Sequence, residues 1–440
     1  MDISVILPVV NERDNLRVLL PRIRTILERE KLSYEIVVVD GNSIDGTREE
    51  AEALGARAVG ERRRGYAGAL ETGFAEARGN YFLTLDADLS HDPDFVVKMW
   101  QARKRGDIVV ASRYTRGGVA YSSFIRNSTS WFLNLVLRQM LSIPVLDMSS
   151  GFRLYRREAL EGLELKSKNF EVQEEILVRA YANGFSVVEV PLVYFPRGAG
   201  RSHAKLVSFG IDIARSAIEL WKLRNSIESA DHNERGFYSV IPMRRYRHHR
   251  RHQIVVTWAR GAERILDAGC GSSLTVQSLN RVIGMDSNLS KLRFLRRYGS
   301  PLVRGSAFAL PFSDQSFDCL ISQGVIERIA YDEGIFAEMR RVLRLGGTLI
   351  LATPDYAARA SRTLEPVYKL LRERHSDERK THYTREQLTQ IMMRHGFAIE
   401  EVAYVGGSDL LMRSRKIELR ESASGSALAT ASSTKISVSI

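Results

Sequence analysis

Asp86 and Asp88 flank Ala87 directly after the apolar run from Tyr81 to Leu85. In an extended chain residues two apart project to one face, so the spacing predicts that the two carboxylates converge. Paired hard oxygen ligands suit Mg2+ or Mn2+, which take one or two carboxylates and complete their shell with substrate phosphates. Helix capping is the competing use of acids here, because Ser90, Asp92 and Pro93 begin a helix at Pro93-Asp94-Phe95. Capping accounts for Asp92 and not for Asp86. Between residues 113 and 205 lie Arg113, Arg126, Arg153, Arg197, Arg201 and Lys205, several beside Gly or Ser. Guanidinium groups in that setting suit a dianionic phosphate, although any one of them alone is explained as a solvated surface residue. A separate chemistry starts at Asp267-Ala268-Gly269-Cys270-Gly271, a glycine turn closing the strand-like Arg264 to Leu266, with Asp286 ending the next apolar run. Such glycines let backbone approach a ligand, and such an acid accepts from both hydroxyls of a ribose.

The elements that must hold these groups alternate. From Met1 to about Asn225 short β-branched runs (ISVILPVV, EIVVVD, YFLTLD) alternate with helical stretches at Leu16 to Leu27, Thr47 to Leu54 and Ala67 to Ala77. That order predicts a mostly parallel sheet covered by helices. Pro8 to Glu12, Val39 to Thr47 and Arg64 to Ala69 then fall at strand ends or helix starts, where open α/β sheets collect ligands. A second alternation, through VIGMD, DCLIS and GGTLILATP, fades near Gly407. The chain is therefore expected to be α/β in two domains, residues 1–225 and 254–410. A basic linker at 226–253 joins them, and a Ser/Ala-rich tail at 411–440 follows, with the composition of a disordered segment.

Over about residues 1–225 the chain resembles the family 2 glycosyltransferases with a GT-A fold, and within them the polyprenyl-phosphate (dolichyl-phosphate) mannosyltransferases. The resemblance rests on DADLSHDP from Asp86, Ala111-Ser112-Arg113-Tyr114, Arg126-Asn127, DMSSGFR from Asp147 and PRGAGRS from Pro196. It implies that Pro8, Glu12 and Asp40 hold the nucleoside of a nucleotide sugar. Asp88 would meet the metal and diphosphate, and Asp86 the ribose-phosphate region or the same metal. Arg113, Arg126, Ser130, Arg197, Ser202 and Lys205 would gather the phosphate of a polyprenyl or dolichyl acceptor. GDP-mannose is the favoured donor, a UDP-sugar the alternative. Two departures bear on the base: Gly41 stands where a second acid is usual, and Val10 where Tyr is usual. His203 stands at the usual Lys position, two residues before Lys205. A phosphomonoester's second pKa near about 6 makes the acceptor an anion at neutral pH, so transfer needs no general base, and an in-line displacement inverts the sugar centre.

Over about residues 255–405 the chain resembles class I S-adenosylmethionine-dependent methyltransferases. The signals are the glycine turn at Asp267, Gly269 and Gly271, the acid Asp286, the run Leu310 to Asp318, Gly324 to Arg328, and Arg341 to Thr348. The resemblance implies S-adenosylmethionine at Asp267, Gly269, Gly271, Asp286 and Ser306, and a Rossmann-like fold. Ser273, Ser306 and Arg328 replace the usual third glycine, adenine-side acid and His. A degenerate scaffold domain is the alternative.

Composition fits a globular chain: 440 residues, 44% apolar, 26% charged, with 64 Lys+Arg against 52 Asp+Glu for a net charge of +12. No run is long and apolar enough to predict a membrane span, and the N-terminal ISVILP is expected to be a first strand rather than a leader. Cys270 and Cys319 are expected to be reduced and packed. Apolar stripes through Phe124, Ile125, Trp131, Phe132, Leu135, Val136 and Met140, and through Phe209, Ile213, Ala217, Leu220 and Trp221 flanked by Lys205, Arg215, Lys222 and Arg224, fit either a core or interfacial helices. With a lipid acceptor, a peripheral position on the cytoplasmic face of a membrane is expected, with small membrane partner subunits allowed for. The run Arg244 to His252 suits nucleic acid, metal or anionic lipid, and also a solvated helix; of the functional readings anionic lipid is preferred and nucleic acid is not expected.

Overall fold

The structure is a computed structural model and describes residues 1–121, 124–195, 206–358 and 380–419. The chain forms two compact units, Met1–Asn225 and Ser226–Ile440.

In the first unit the strands are β1 (Ile3–Val9), β2 (Tyr34–Asp40), β3 (Arg57–Gly60), β4 (Tyr81–Thr84), β5 (Ile108–Ser112), β6 (Val119–Ala120), β7 (Arg153–Arg156), β8 (Val187–Pro191) and β9 (Val193–Tyr194). Seven form one sheet in the order β3-β2-β1-β4-β7-β5-β8, while β6 and β9 pair separately. All neighbours run parallel except β7, which is antiparallel to β4 and β5. The strands are continuous apolar runs because both faces are covered. On one face the helix Arg13–Arg29 buries Leu16, Leu19, Leu20, Ile23 and Leu27, spaced as one side of a 3.6-residue period. On the other the helix Tyr66–Glu76 lies so close that a Cβ on Gly73 would come within 2.3 Å of Ile6 Cγ2. The carboxyl ends of β1, β2, β4 and β5 and the amino end of the reversed β7 share one sheet edge.

The second unit contains β10 (Ile265–Ala268), β11 (Val282–Asp286), β12 (Leu302–Arg304), β13 (Phe317–Gln323), β14 (Leu343–Pro354), β15 (Phe397–Val405) and β16 (Asp409–Lys416), in the order β12-β11-β10-β13-β14-β16-β15. Only β16 runs antiparallel to its neighbours. Strand order reverses between β10 and β13, which places a switch point beside the glycine turn.

The tail expected from residue 411 starts too early. Residues 411–416 belong to β16, with Leu411 and Met412 buried, and the described chain continues to residue 419. The fading pattern at Gly406 and Gly407 is a hairpin turn, with φ of +60° and +73°. The basic linker is likewise ordered secondary structure, the helices His232–Phe237 and Pro242–Ala259, the second with proline in its first turn. Cys270 and Cys319 are free thiols and buried.

Candidate active sites

At the ligand edge of the first unit the loops after β1 and β2 are sewn together. Asn11 Oδ1 accepts from the Ile44 amide at 2.9 Å, the Asn11 amide donates to Ser43 Oγ at 2.9 Å, and the Glu12 amide donates to Thr47 Oγ1 at 2.9 Å. The Asp40 carboxylate, 7% exposed, accepts from the Ser43 amide at 3.1 Å and from its hydroxyl at 2.5 Å. It therefore closes its own turn as well as facing the edge. Glu12 Oε2 accepts from Asn15 Nδ2 at 2.5 Å, and Pro8 sits on β1 opposite Val39. The two departures from the family pattern lie against each other: a Cβ at Gly41 would fall 2.7 Å from Val10 Cγ2, so a side chain at 41 would require Val10 to shift.

Asp86 and Asp88 follow β4 at the same edge. Asp86 Oδ1 lies 3.4 Å from the Tyr66 hydroxyl, which accepts from Gln173 Nε2 at 2.8 Å. The Tyr66 ring stacks on Phe170 with centroids 4.6 Å apart. Burial, and then the Asp86 charge, raise the Tyr66 pKa well above its ordinary value, so the phenol stays a donor. Asp88, 4% exposed, accepts from the Ser90 amide at 3.1 Å and hydroxyl at 2.5 Å, across Leu89 at φ +62°. The Asp86 amide donates to Nδ1 of buried His91 at 3.4 Å, and burial lowers that imidazole's pKa. Gly151, just before β7, completes the wall: a Cβ there would stand 3.1 Å from the Tyr66 hydroxyl and 3.5 Å from Asp86 Oδ1. Beside this wall, Ser150 Oγ, Gln173 Oε1 and Glu174 Oε2 are buried without hydrogen-bond partners among the described residues, and burial pushes the Glu174 carboxyl up to about 7. Among the described residues no three His, Cys, Asp or Glu side chains gather as a metal site. Two carboxylates at a strand end, without a third, fit a hard cation that draws its other ligands from a diphosphate.

The arginines expected to bind phosphate separate into distinct roles. Arg113, at the end of β5, donates through Nε and Nη2 to Asp147 at 2.8 and 2.7 Å, its amide donates to the same carboxylate at 2.9 Å, and Nη2 also reaches Ser149 Oγ at 2.9 Å. Its Nη1 has no hydrogen bond among the described residues. Burial opposes the charge and Asp147 outweighs it, holding the Arg113 pKa above its ordinary value. The Asp147 loop is fixed in turn. Glu189 accepts from the Leu146 and Asp147 amides at 3.0 Å each, and Asn134 Oδ1 accepts from Met148 at 2.7 Å. Ser130 lies on the same helix, Phe124–Leu141, as Asn134 and Arg126. Arg153 does not join the phosphate set: it is fully buried and donates to the main-chain oxygens of Ser150, Gln173 and Met148. Arg224 is also buried, clasping Leu141 O at 2.9 Å, and does not flank an exposed stripe. Arg197, Arg201, Ser202, His203 and Lys205 lie outside the described residues. Tyr66, Gln173, Glu174 and Asp147 were not singled out as site residues in the sequence. Three successive polar residues in the helix Val172–Ala182, all buried, are the signal that could have marked the helix.

In the second unit a cavity of about 400 Å3 opens at the switch point, lined by Asp267, Gly269, Gly271, Asp286 and Ser306. Gly269 and Gly271 take φ of +77° and +56°, and a Cβ on Gly269 would fall 2.2 Å from Val325. Asp286 Oδ2 accepts from the Gly271 amide and Oδ1 from Asn288, both at 2.8 Å. Both Asp267 oxygens are buried without partners among the described residues, and burial followed by repulsion from Asp286 pushes its pKa up to about 7. An orphaned carboxyl beside a glycine cradle fits a cofactor that brings an amino group and a ribose. Ser306 Oγ accepts from the Phe308 amide at 3.2 Å. The sequence did not foresee that Asn233, Phe237, His248, Arg251 and His252, all from the supposed linker, line the same cavity.

Residues 4–163 match the family model described as glycosyl transferase family 2, and residues 266–351 match one described as a methyltransferase domain. The chain is 38% identical over 216 residues to a dolichol-phosphate mannosyltransferase from Pyrococcus furiosus, a stretch covering 47% of this chain and 60% of that protein. It is 33% identical over 242 residues to a polyprenol monophosphomannose synthase from Mycolicibacterium smegmatis, covering 51% of this chain and 89% of that one. A solved glucosyl-3-phosphoglycerate synthase from Mycobacterium tuberculosis, in complex with Mn2+, UDP-glucose and phosphoglyceric acid, aligns at 21% identity with a TM-score of 0.43, over 50% of this chain and 79% of that one. Matched across most of the mycobacterial relative, the chain belongs to the family 2 glycosyltransferases of polyprenyl-phosphate mannosyltransferase type, and carries a methyltransferase domain after it.

Proposed function

We propose that the first unit transfers a hexose, mannose from GDP-mannose, to the phosphate of a polyprenol or dolichol with inversion, and that the second transfers a methyl group from S-adenosylmethionine. The observation that carries the first part is that Asp86 and Asp88 follow β4 and the Asp147-clamped Arg113 follows β5, the two strands that flank β7, at one edge of one sheet. Asp86 and Asp88 would hold Mg2+ or Mn2+, which would screen the diphosphate as it departs. Glu12 and Asp40 face the nucleoside, and Pro8 shapes the floor beneath it. Arg113 offers Nη1 to the acceptor phosphate, joined by Arg126, Ser130, Arg197, Ser202 and Lys205. The unpartnered acceptors of Ser150, Gln173 and Glu174 would be satisfied by sugar hydroxyls. Because the attacking lipid phosphate is already an anion, the protein's task is to align two phosphates and offset their repulsion.

In the second unit Asp286 would accept from the ribose, Asp267 from the amino group of the cofactor, and Gly269 and Gly271 admit it to the backbone. We place the enzyme peripherally on the cytoplasmic face of a membrane, with small membrane subunits as allowed partners. Supporting this, Ile125, Trp131 and Phe132 on one helix are 77%, 52% and 61% exposed. Among the described residues no helix is long and apolar enough to cross a membrane.

The metal assignment is tested with Asp88→Ala. Electron paramagnetic resonance of Mn2+ in the presence of GDP should show the bound ion in the native chain and lose it in the variant, with transfer falling at least about 100-fold. Retained ion and turnover would mean that the cation sits elsewhere.

A further inference from the structure

Within the basic run from Arg244 to His252, Arg247 and Arg251 pack into the second unit, while Arg245, Tyr246 and Arg250 stay exposed. Arg247 and Arg251 each place Nη2 2.6 Å from a different oxygen of Asp409, which is 5% exposed. Two guanidinium groups on one carboxylate leave that trio with a net positive charge, and Arg251 faces the cofactor cavity. Lys291 and Arg328 line the same cavity. The Lys291 ammonium has no hydrogen-bond or ion-pair partner among the described residues, and burial lowers its pKa while Asp286 opposes that shift. Among the described residues the carboxylates in the lining are Asp267 and Asp286, both next to the glycine cradle. S-adenosylmethionine itself carries a sulfonium, an amine and one carboxylate, so its arrival adds positive charge. Arg251, Lys291 and Arg328 thus line a cavity that would also take a cationic donor, a setting that favours an anionic acceptor.

We propose that the methyl acceptor bears a phosphomonoester and that Lys291 and Arg328 form its seat beside the cofactor. The proposal rests on reading the second unit as a methyltransferase. The phosphate belongs either to a soluble phosphorylated compound or to a lipid headgroup, and the recognising chemistry is the same.

The test is isothermal titration calorimetry on the full chain, first with S-adenosylhomocysteine, then with mannose 6-phosphate or short-chain phosphatidic acid at saturating S-adenosylhomocysteine. Lys291→Gln should weaken the phosphomonoester about tenfold, as expected for a lost charge-assisted contact. Lys291→Arg should stay within about threefold, and S-adenosylhomocysteine binding should be unchanged in both. The probe whose affinity depends on Lys291 identifies the source, soluble or lipid; comparison with Lys291→Gln also subtracts phosphate bound by the first unit. Phosphomonoester affinities indifferent to Lys291→Gln overturn the proposal. So does a selective loss of S-adenosylhomocysteine affinity, which would assign Lys291 to the cofactor's carboxylate. Absence of S-adenosylhomocysteine binding in the native chain instead refutes the methyltransferase reading, and is seen in the first titration.

Discussion

Removing the Asp147 carboxylate separates the stability of the first unit from its chemistry. The side chain is fully buried and accepts three hydrogen bonds from Arg113, at 2.7, 2.8 and 2.9 Å, while the Arg113 side chain is only 17% exposed. Asp147→Ala strands a guanidinium with little access to water, a change that costs about 3–5 kcal/mol. For a unit of roughly 225 residues the unfolding entropy is about 0.5 kcal/mol/K, so Tm should fall by about 8 °C. Replacing both partners, Arg113→Met with Asp147→Leu, removes the stranded charge and should restore most of the lost stability. That double variant should still transfer about 10–150-fold more slowly at limiting acceptor, because a charge-assisted phosphate contact contributes about 1.5–3 kcal/mol. Calorimetric melting and initial rates with polyprenyl phosphate give both numbers. A shift below about 2 °C in Asp147→Ala, or native rates in the double variant, would refute the clamp argument.

Two further outcomes follow from local geometry. Gly41→Asp should lose about 1–3 kcal/mol by driving its Cβ to 2.7 Å from Val10, and adding Val10→Ala should recover most of it; equal melting of the single and double variants would contradict the packing cause. In the second unit burial depresses the pKa of His248 to about 4 and of His232 to about 3, from 6.5. The unfolded chain therefore binds the extra protons first, so stability is full above about pH 6.5 and falls as pH drops toward 4, at up to about 1.4 kcal/mol per pH unit for each histidine. His248→Gln should flatten that slope in urea titrations between pH 6.5 and 4.5, and an unchanged slope would remove His248 from the account.

How much of this was legible in the sequence depended on the range of the interaction. The strands β1, β2 and β4 are apolar runs of the kind that a doubly covered sheet demands, and the Asp86-Ala87-Asp88 spacing after β4 gave the acids directly. β3, half-buried at the sheet edge with only four residues, carried too little pattern to be read. The reversal of β7 depends on pairing with β4 some 70 residues away, which no local periodicity encodes. Arginines were the weakest inference. Arg113, Arg153 and Arg224 look alike in a chain, yet one is clamped on the Asp147 carboxylate while two are fastened to carbonyl groups, because burial of a guanidinium is decided by which oxygens the fold brings to it. The same applies to the Arg244 to His252 run. Its density of charge indicated an exposed surface, which holds for Arg245, Tyr246 and Arg250, whereas Asp409, some 160 residues on, draws Arg247 and Arg251 into the second unit, and Arg251 lines the cavity at the switch point. The glycine turn at Asp267 and Gly269, by contrast, is a local pattern after a strand that needs no distant partner to be recognised, although its cofactor role came from the family resemblance.

The central claim is the transfer of a sugar to a lipid phosphate at the edge where Asp86, Asp88 and Arg113 stand. Purified chain incubated with radiolabelled GDP-mannose, Mg2+ and polyprenyl phosphate should place label in an organic-extractable, acid-labile product, dependent on both the metal and the lipid. Label that stays in the aqueous phase with GDP-mannose, while UDP-sugars are turned over, would contradict it.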